Sequence, residues 1–280
     1  MGVTIGLMAA LFFGSGDFLG GRASQEAPAR SVLLVSQASA ALGAIVLVVV
    51  IHGDPIGRDL AYGAAAGVAN GVGLGLLYRG LASGSMGIVA PVTAVVGAMI
   101  PVSWGIVSGE RPHAVVLIGI AIAIGAGGLI SREGDDGALT APASKVLLLA
   151  VAAGAALGTS FVLFTHTSER SGPWAVLAAR GTAVVGAAAL ALVRRESGGS
   201  TLSARGAGIA IGAGACDVLA TTFLVLAIRR DLSVVVAPVV ALAPGFTVLW
   251  AWAMLREPIS RLQSAGLVLA LCGLAMIAGG

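Results

Sequence analysis

The sequence predicts an all-α integral membrane protein with ten transmembrane helices arranged as two inverted five-helix repeats. Three observations carry that prediction: an apolar composition, ten apolar runs of membrane-crossing length, and an internal duplication. Of 280 residues, 58% are hydrophobic, 42 are glycine and 10% are charged, against roughly 25% charged in soluble domains. The mean hydropathy of +1.01 is too high for a water-soluble chain to hide in its core. These figures exclude a disordered chain, a secreted disulfide scaffold and a nucleic-acid-binding domain. The net charge of +3 is the balance of 16 cations and 13 anions, nearly all lying between apolar runs, so it marks no basic patch. The abundance of Ala, Gly, Val and Arg points to a high-GC bacterial chain and so to a bacterial inner membrane. Cys216 and Cys272 lie inside apolar runs without metal or disulfide spacing, and no metal or cofactor is expected.

A membrane-crossing helix needs about 20 mostly apolar residues. Runs of that length lie at 2–21, 31–51, 60–78, 85–108, 113–130, 146–165, 173–193, 206–228, 232–255 and 259–279. They are continuous and lack two-residue alternation, which favours helices over barrel strands. The first run has no basic segment ahead of it and no clear cleavage site behind it, so it reads as a retained helix. The third carries Gly63, Gly67, Gly71 and Gly75 at four-residue steps, a small-residue stripe for close helix packing. The fourth and ninth contain Pro91 and Pro238, expected to kink both helices at matching points and to act as paired hinges. The fifth and tenth are preceded by Glu110 with Pro112 and by Glu257 with Pro258, each expected to cap the helix that follows. Tyr78 and Trp174 near run ends suit interface anchoring, and His113 and His166 at run edges suit simple solvation. The longest connection runs from Ser131 to Lys145, and the next from Arg194 to Arg205. Neither is long enough to fold as a domain, so function must lie within or at the mouths of the helices.

The duplication appears when the chain is shifted by 147 residues against itself. Ala90-Pro91-Val92 then falls on Ala237-Pro238-Val239, Glu110 on Glu257, Gly119 on Gly266 and Ile130 on Ile277. Further upstream Gly67 falls on Gly214 and Asn70 on Asp217. Two prolines and two loop glutamates at one offset are hard to obtain by chance, even in so biased a composition. The first unit spans 1–131, a loop spans 132–145, and the second unit spans 146–280. Five helices per unit is an odd number, so the second unit enters the membrane upside down. A pseudo-two-fold axis in the membrane plane is the architecture of many alternating-access transporters, with the site near the midplane.

With these residues in view, the chain resembles the EamA-type repeats of the drug/metabolite transporter superfamily. The resemblance rests on Phe13-Gly14-Ser15 in the first helix, the Ala-Pro step early in the fourth and ninth, and the Gly-Glu-Arg-Pro and Arg-Glu-Pro turns before the fifth and tenth. It covers nearly the whole chain. It implies a ten-helix solute carrier, most often an exporter of amino acids or other small metabolites, with cytoplasmic termini. The cation count points the other way: ten cations lie in the loops on the side opposite the termini and five on the terminal side.

Ionisable groups deep in a span cost about 2.5–3.5 kcal/mol at the helix centre. Asp17, Arg180 and Asp217 are such groups. Depth along the helices favours an Arg180–Asp217 pair, because Arg180–Asp17 would need about 12 Å of axial reach. Asp217 and Arg180, with Asn70 and Gln37 as approximate repeat mates, are the candidate substrate-binding residues. The two charges could meet the amine and carboxylate of a zwitterion, or form a structural ion pair. Asp217 and Asp17 are candidates for proton coupling or gating. There is no Walker-type phosphate loop and no His-Glu-x-x-His, so an enzyme is not expected, and transport would be driven by a gradient or by exchange. The expected function is secondary export of a small polar metabolite, an amino acid or related amine. The alternatives are a multidrug or cation exporter of the same fold and, more distantly, a membrane receptor or membrane-embedded enzyme. The expected partners are the solute, protons and lipid, without nucleic acid, and the expected state is a monomer.

Overall fold

The structure is a computed structural model that describes residues 1–27, 29–81, 86–130, 143–193, 202–256 and 260–279. The described residues are almost all helical and include no strand. The helices are α1 (Gly2–Glu26), α2 (Ala29–Val50), α3 (Gly57–Leu81), α4 (Met86–Val107), α5 (Ala114–Ile130), α6 (Ala143–Thr165), α7 (Trp174–Val193), α8 (Ala204–Ile228), α9 (Ser233–Val240), α10 (Ala243–Trp250) and α11 (Arg261–Gly279). Six segments are long and apolar enough by themselves to cross a membrane, the broken ninth crossing included, and four shorter apolar helices accompany them. The protein is thus an all-α, multi-pass membrane protein. Its ten crossings follow the ten apolar runs because a backbone in hydrocarbon must satisfy its polar groups internally.

The ninth crossing is built from α9, α10 and a wide π turn at Ala251–Leu255. Pro238 lies buried inside α9, yet the helix continues past it to Val240. The interruption comes at Ala241–Leu242, immediately before Pro244 in the first turn of α10. Pro244 has no N–H to offer the carbonyl of Val240, and its ring crowds that carbonyl, so the helix ends there. The repeat mate of Pro244 is Gly97, and α4 runs without interruption from Met86 to Val107. The backbone of Pro91 is helical, and its side chain lies outside the described residues.

The larger contacts between the two halves of the chain are pairwise. α1 packs on α8 and α3 on α6; α2 packs on α8 and α3 on α7; α4 packs on α6, and α9 and α10 pack on α1. α2–α7, α4–α9 and α5–α11 complete the set. Exchanging the first five crossings for the last five maps these principal pairs onto one another. Small residues allow the close approaches. A Cβ on Gly63 or Gly67 would strike the backbone of Ala175 or Ala179 in α7, and one on Gly214 would strike the carbonyl of Ser36 in α2. The glycine stripe of α3 packs only in its first half. Beside Gly71 and Gly75 there is open space, while Gly73, off the stripe, fits against Leu157 of α6. The Phe13-Gly14-Ser15 stretch meets the ninth crossing, where Thr247 donates to the Gly14 carbonyl at 3.1 Å and the Trp250 indole N–H donates to Ser15 at 2.8 Å.

Crossing parity puts Met1 and the loops at 51–56, 108–113, 166–173 and 229–232 on one face, the terminal face. Polar contacts there join the two halves of the chain. Arg170 pairs with Asp54 at 2.6 Å, the Trp174 indole donates to the Gly53 carbonyl at 3.0 Å, and Asp59 accepts from the Ser168 N–H at 3.0 Å and from its hydroxyl. Glu110 accepts from the Ser233 N–H at 3.1 Å, the Ser233 hydroxyl at 2.7 Å and the Val234 N–H at 2.8 Å. Glu110 therefore caps α9, in the other half of the chain, and not α5, the helix that follows it. The turn at Gly109, with φ of 99°, separates it from α4, and Pro112 precedes the start of α5 at Ala114. Glu257 and Pro258 lie outside the described residues.

Candidate functional site

The polar centre lies where α2, α7 and α8 converge. Asp217 is at the middle of α8, and Thr221 one turn later on the same face. Arg180 reaches them from α7. One guanidinium N–H group donates to Asp217 Oδ2 and, at 3.5 Å, to Gln37 Oε1; the other terminal nitrogen donates to the Thr221 hydroxyl. Gln37, from α2, also donates through its amide to Asp217 Oδ2 at 3.2 Å. The Thr221 hydroxyl closes the circuit by donating to the Asp217 backbone carbonyl at 3.0 Å. Arg180 and Gln37 are 2% and 5% exposed. The Asp217 side chain keeps 22% of its surface accessible. Both of its contacts fall on Oδ2, leaving Oδ1 with no partner among the described residues. Gly214, one turn before Asp217, lets α2 approach closely enough for Gln37 to join.

Two further helices carry the remaining candidate residues, each on a face that begins at the terminal side. In α1 one face carries Gly6, Ala10, Phe13 and Asp17 at helical spacing. Gly6 and Ala10 are buried, Phe13 is half-buried and Asp17 is exposed. In α3 the same spacing carries Asp59, Gly63, Ala66 and Asn70: the first three are buried and Asn70 is half-buried. Both faces are closed near the terminal side and become accessible at mid-depth. Asp17 makes no hydrogen bond or ion pair among the described residues, and its carboxylate lies within electrostatic reach of Asp217. Asn70 likewise makes no side-chain hydrogen bond there.

The structure thus brings Asp217, Arg180 and Gln37 into one cluster and forms the Arg180–Asp217 pair expected from helix depth. It places Asp17 and Asn70 on accessible faces without joining them to the cluster. Pro238 is buried inside α9 and takes part in none of these bonds. Thr221 was missed, although a hydroxyl one turn from a mid-span carboxylate was a readable signal. Also missed was an aromatic cluster at the terminal face, where His166 stacks on Tyr62 at 4.9 Å and tilts against Trp104 at 5.5 Å. His166 is therefore packed between rings and not simply solvated. Among the described residues, no group of His, Cys, Asp or Glu could hold a metal ion.

A ten-crossing helical protein with an ion pair at mid-depth defines the class: a multi-pass membrane protein with a polar centre inside the bundle. Residues 144–279 match the EamA-like transporter family. The match falls on the second half of the chain, where its Ala-Pro and Arg-Glu-Pro motifs lie. Among solved structures, one described only as a protein crystal structure matches with a TM-score of 0.77 at 17% identity, covering 98% of this chain and 95% of the other. At that identity the likeness shows the fold alone. No curated protein matches this sequence.

Proposed function

We propose that the protein is a secondary transporter that exports a small polar metabolite, an amino acid or related amine, by alternating access between two inverted repeats, 1–131 and 146–280. The observation that carries this reading is the mid-depth Arg180–Asp217 pair with one carboxylate oxygen left free beside an accessible face. A charge at that depth is costly unless it is compensated or used, and here it is compensated on one oxygen only. The solute amine meets Asp217, Asn70 lines the approach, Gln37 holds the carboxylate, and Asp17 carries the coupled proton. The self-mapping of the packed pairs supports the inverted repeat. Pro238 in α9 and Pro91 in α4 are the hinges of this reading. The chain works as a monomer in a bacterial inner membrane with its termini in the cytoplasm. An impermeant thiol reagent tests the orientation: efficient labelling of a terminal cysteine in intact cells would place the termini outside.

Efflux from liposomes tests the function. Vesicles loaded with amino acids, amines, nucleobases and sugars are placed under a pH gradient, and the solutes that leave are identified by mass spectrometry. Selective, protein-dependent loss of one class, at least tenfold slower with Asp217→Asn, is the expected result. Unchanged efflux and pH dependence in that variant would remove the role of Asp217. One observation favours a second reading, export of lipophilic cations: Asp17 adds a second carboxylate that has no cation partner among the described residues. A resistance profile across lipophilic cations separates the two.

A further inference from the structure

We propose that Arg180 is a positioning residue which does not touch the solute, and that the site recognises a cationic amine without requiring a carboxylate on it. This deepens the transport reading above and rests on it. A guanidinium recognises a carboxylate through two parallel N–H groups on one edge. No such edge of Arg180 is within a solute's reach, although not every N–H of the guanidinium is bonded. One terminal nitrogen is engaged by Asp217 and Gln37, the other by Thr221, and Nε is buried with no partner among the described residues. Only 2% of the residue is accessible. A solute carboxylate could reach it only by displacing Asp217, leaving a carboxylate without its partner in the span.

The same bonds explain what remains on offer. Arg180 and Gln37 both hold Oδ2, which fixes the Asp217 side chain and leaves Oδ1 without a partner among the described residues, on a side chain that keeps 22% of its surface accessible. Asp17 stands within electrostatic reach and has no hydrogen bond or ion pair among the described residues. Two carboxylates and one guanidinium sum to a single negative charge when all are ionised. An ammonium neutralises it, whereas a zwitterion brings its own anion into the cluster. The solute class is therefore a primary or secondary amine, such as a decarboxylated amino acid or an amino acid amide.

Matched solutes test this on the purified full chain. Leucine, leucinamide and 3-methylbutylamine share a side chain, as do lysine and cadaverine. Thermal stabilisation in detergent reads binding, and competition for liposome efflux reads transport. The amines and the amide are expected to act at concentrations at least tenfold lower than the parent amino acids. Gln37→Ala should raise the KM for the amine about tenfold at nearly unchanged Tm. Arg180→Gln should also raise the KM for the amine, here with a lowered Tm, with partial recovery of both in Arg180→Lys, and should impose no selective loss on carboxylate-bearing solutes. Tighter action by the amino acids, or a loss in Arg180→Gln confined to them, overturns the proposal. So does the absence of stabilisation by any amine. Amine stabilisation without amine efflux upholds the site and overturns the transport reading instead.

Discussion

At the scale of single residues, the centre of the protein is an exercise in completing hydrogen bonds around one buried cation. Removing Arg180 leaves Asp217 and Gln37 facing a void with an unpaired charge. Arg180→Ala is therefore expected to destabilise the fold by about 3–5 kcal/mol, read as a lower unfolding midpoint in detergent. Thr221→Val keeps the shape but deprives the guanidinium of an acceptor in a nearly dry position, at a cost of about 1–3 kcal/mol. If Thr221→Val unfolds at the wild-type midpoint, the Thr221 contact contributes nothing. Asp217 and Arg180 were legible in the sequence because charges are rare and expensive in apolar spans. Gln37 and Thr221 were less so: a lone amide or hydroxyl is tolerated widely inside helices, and only the neighbouring helix tells what it serves.

At the scale of elements, close packing and capping decide which helices touch. Gly63 and Gly67 let α3 lie against the α7 backbone, whereas Gly71 and Gly75 meet nothing. Gly67→Val should cost about 1–3 kcal/mol or more through overpacking, while Gly71→Val should be nearly neutral, as measured by the folded fraction in size-exclusion chromatography. Equal losses in the two variants would mean that the whole stripe packs. Glu110 ties the start of α9 to the end of α4 through three hydrogen bonds. Glu110→Ala frees two helix N–H groups and a hydroxyl, and is expected to lower stability by about 1–2 kcal/mol. It should also speed thiol labelling of a cysteine placed at Leu232. The sequence showed the capping chemistry of Glu110 and misassigned its helix. Capping propensity is a local property, and the turn at Gly109 redirects the side chain to a partner 123 residues away.

At the scale of the whole molecule, the terminal face is closed by contacts between the two halves, and alternating access requires those contacts to part. Asp54 and Arg170 meet there at 2.6 Å, both largely exposed. An exposed ion pair contributes little stability, so replacing it leaves the fold intact. A double variant, Asp54→Cys with Arg170→Cys, is expected to stop transport when oxidised and to recover it on reduction. Full transport in the oxidised form would show that this face does not need to open.

Taken by itself, the sequence determined the solvent of the protein, the approximate course of its helices, and the charges that had to find partners. These follow from hydrophobicity, helix length and the cost of burying charge, which act along the chain and can be counted from it. The tertiary structure decided which helices Gly63, Gly67 and Glu110 would meet, where the ninth crossing breaks, and that Arg180 donates to Asp217, Gln37 and Thr221. Those outcomes depend on contacts between residues far apart in sequence, set by helix rotation and the direction of each side chain, which the linear pattern leaves open.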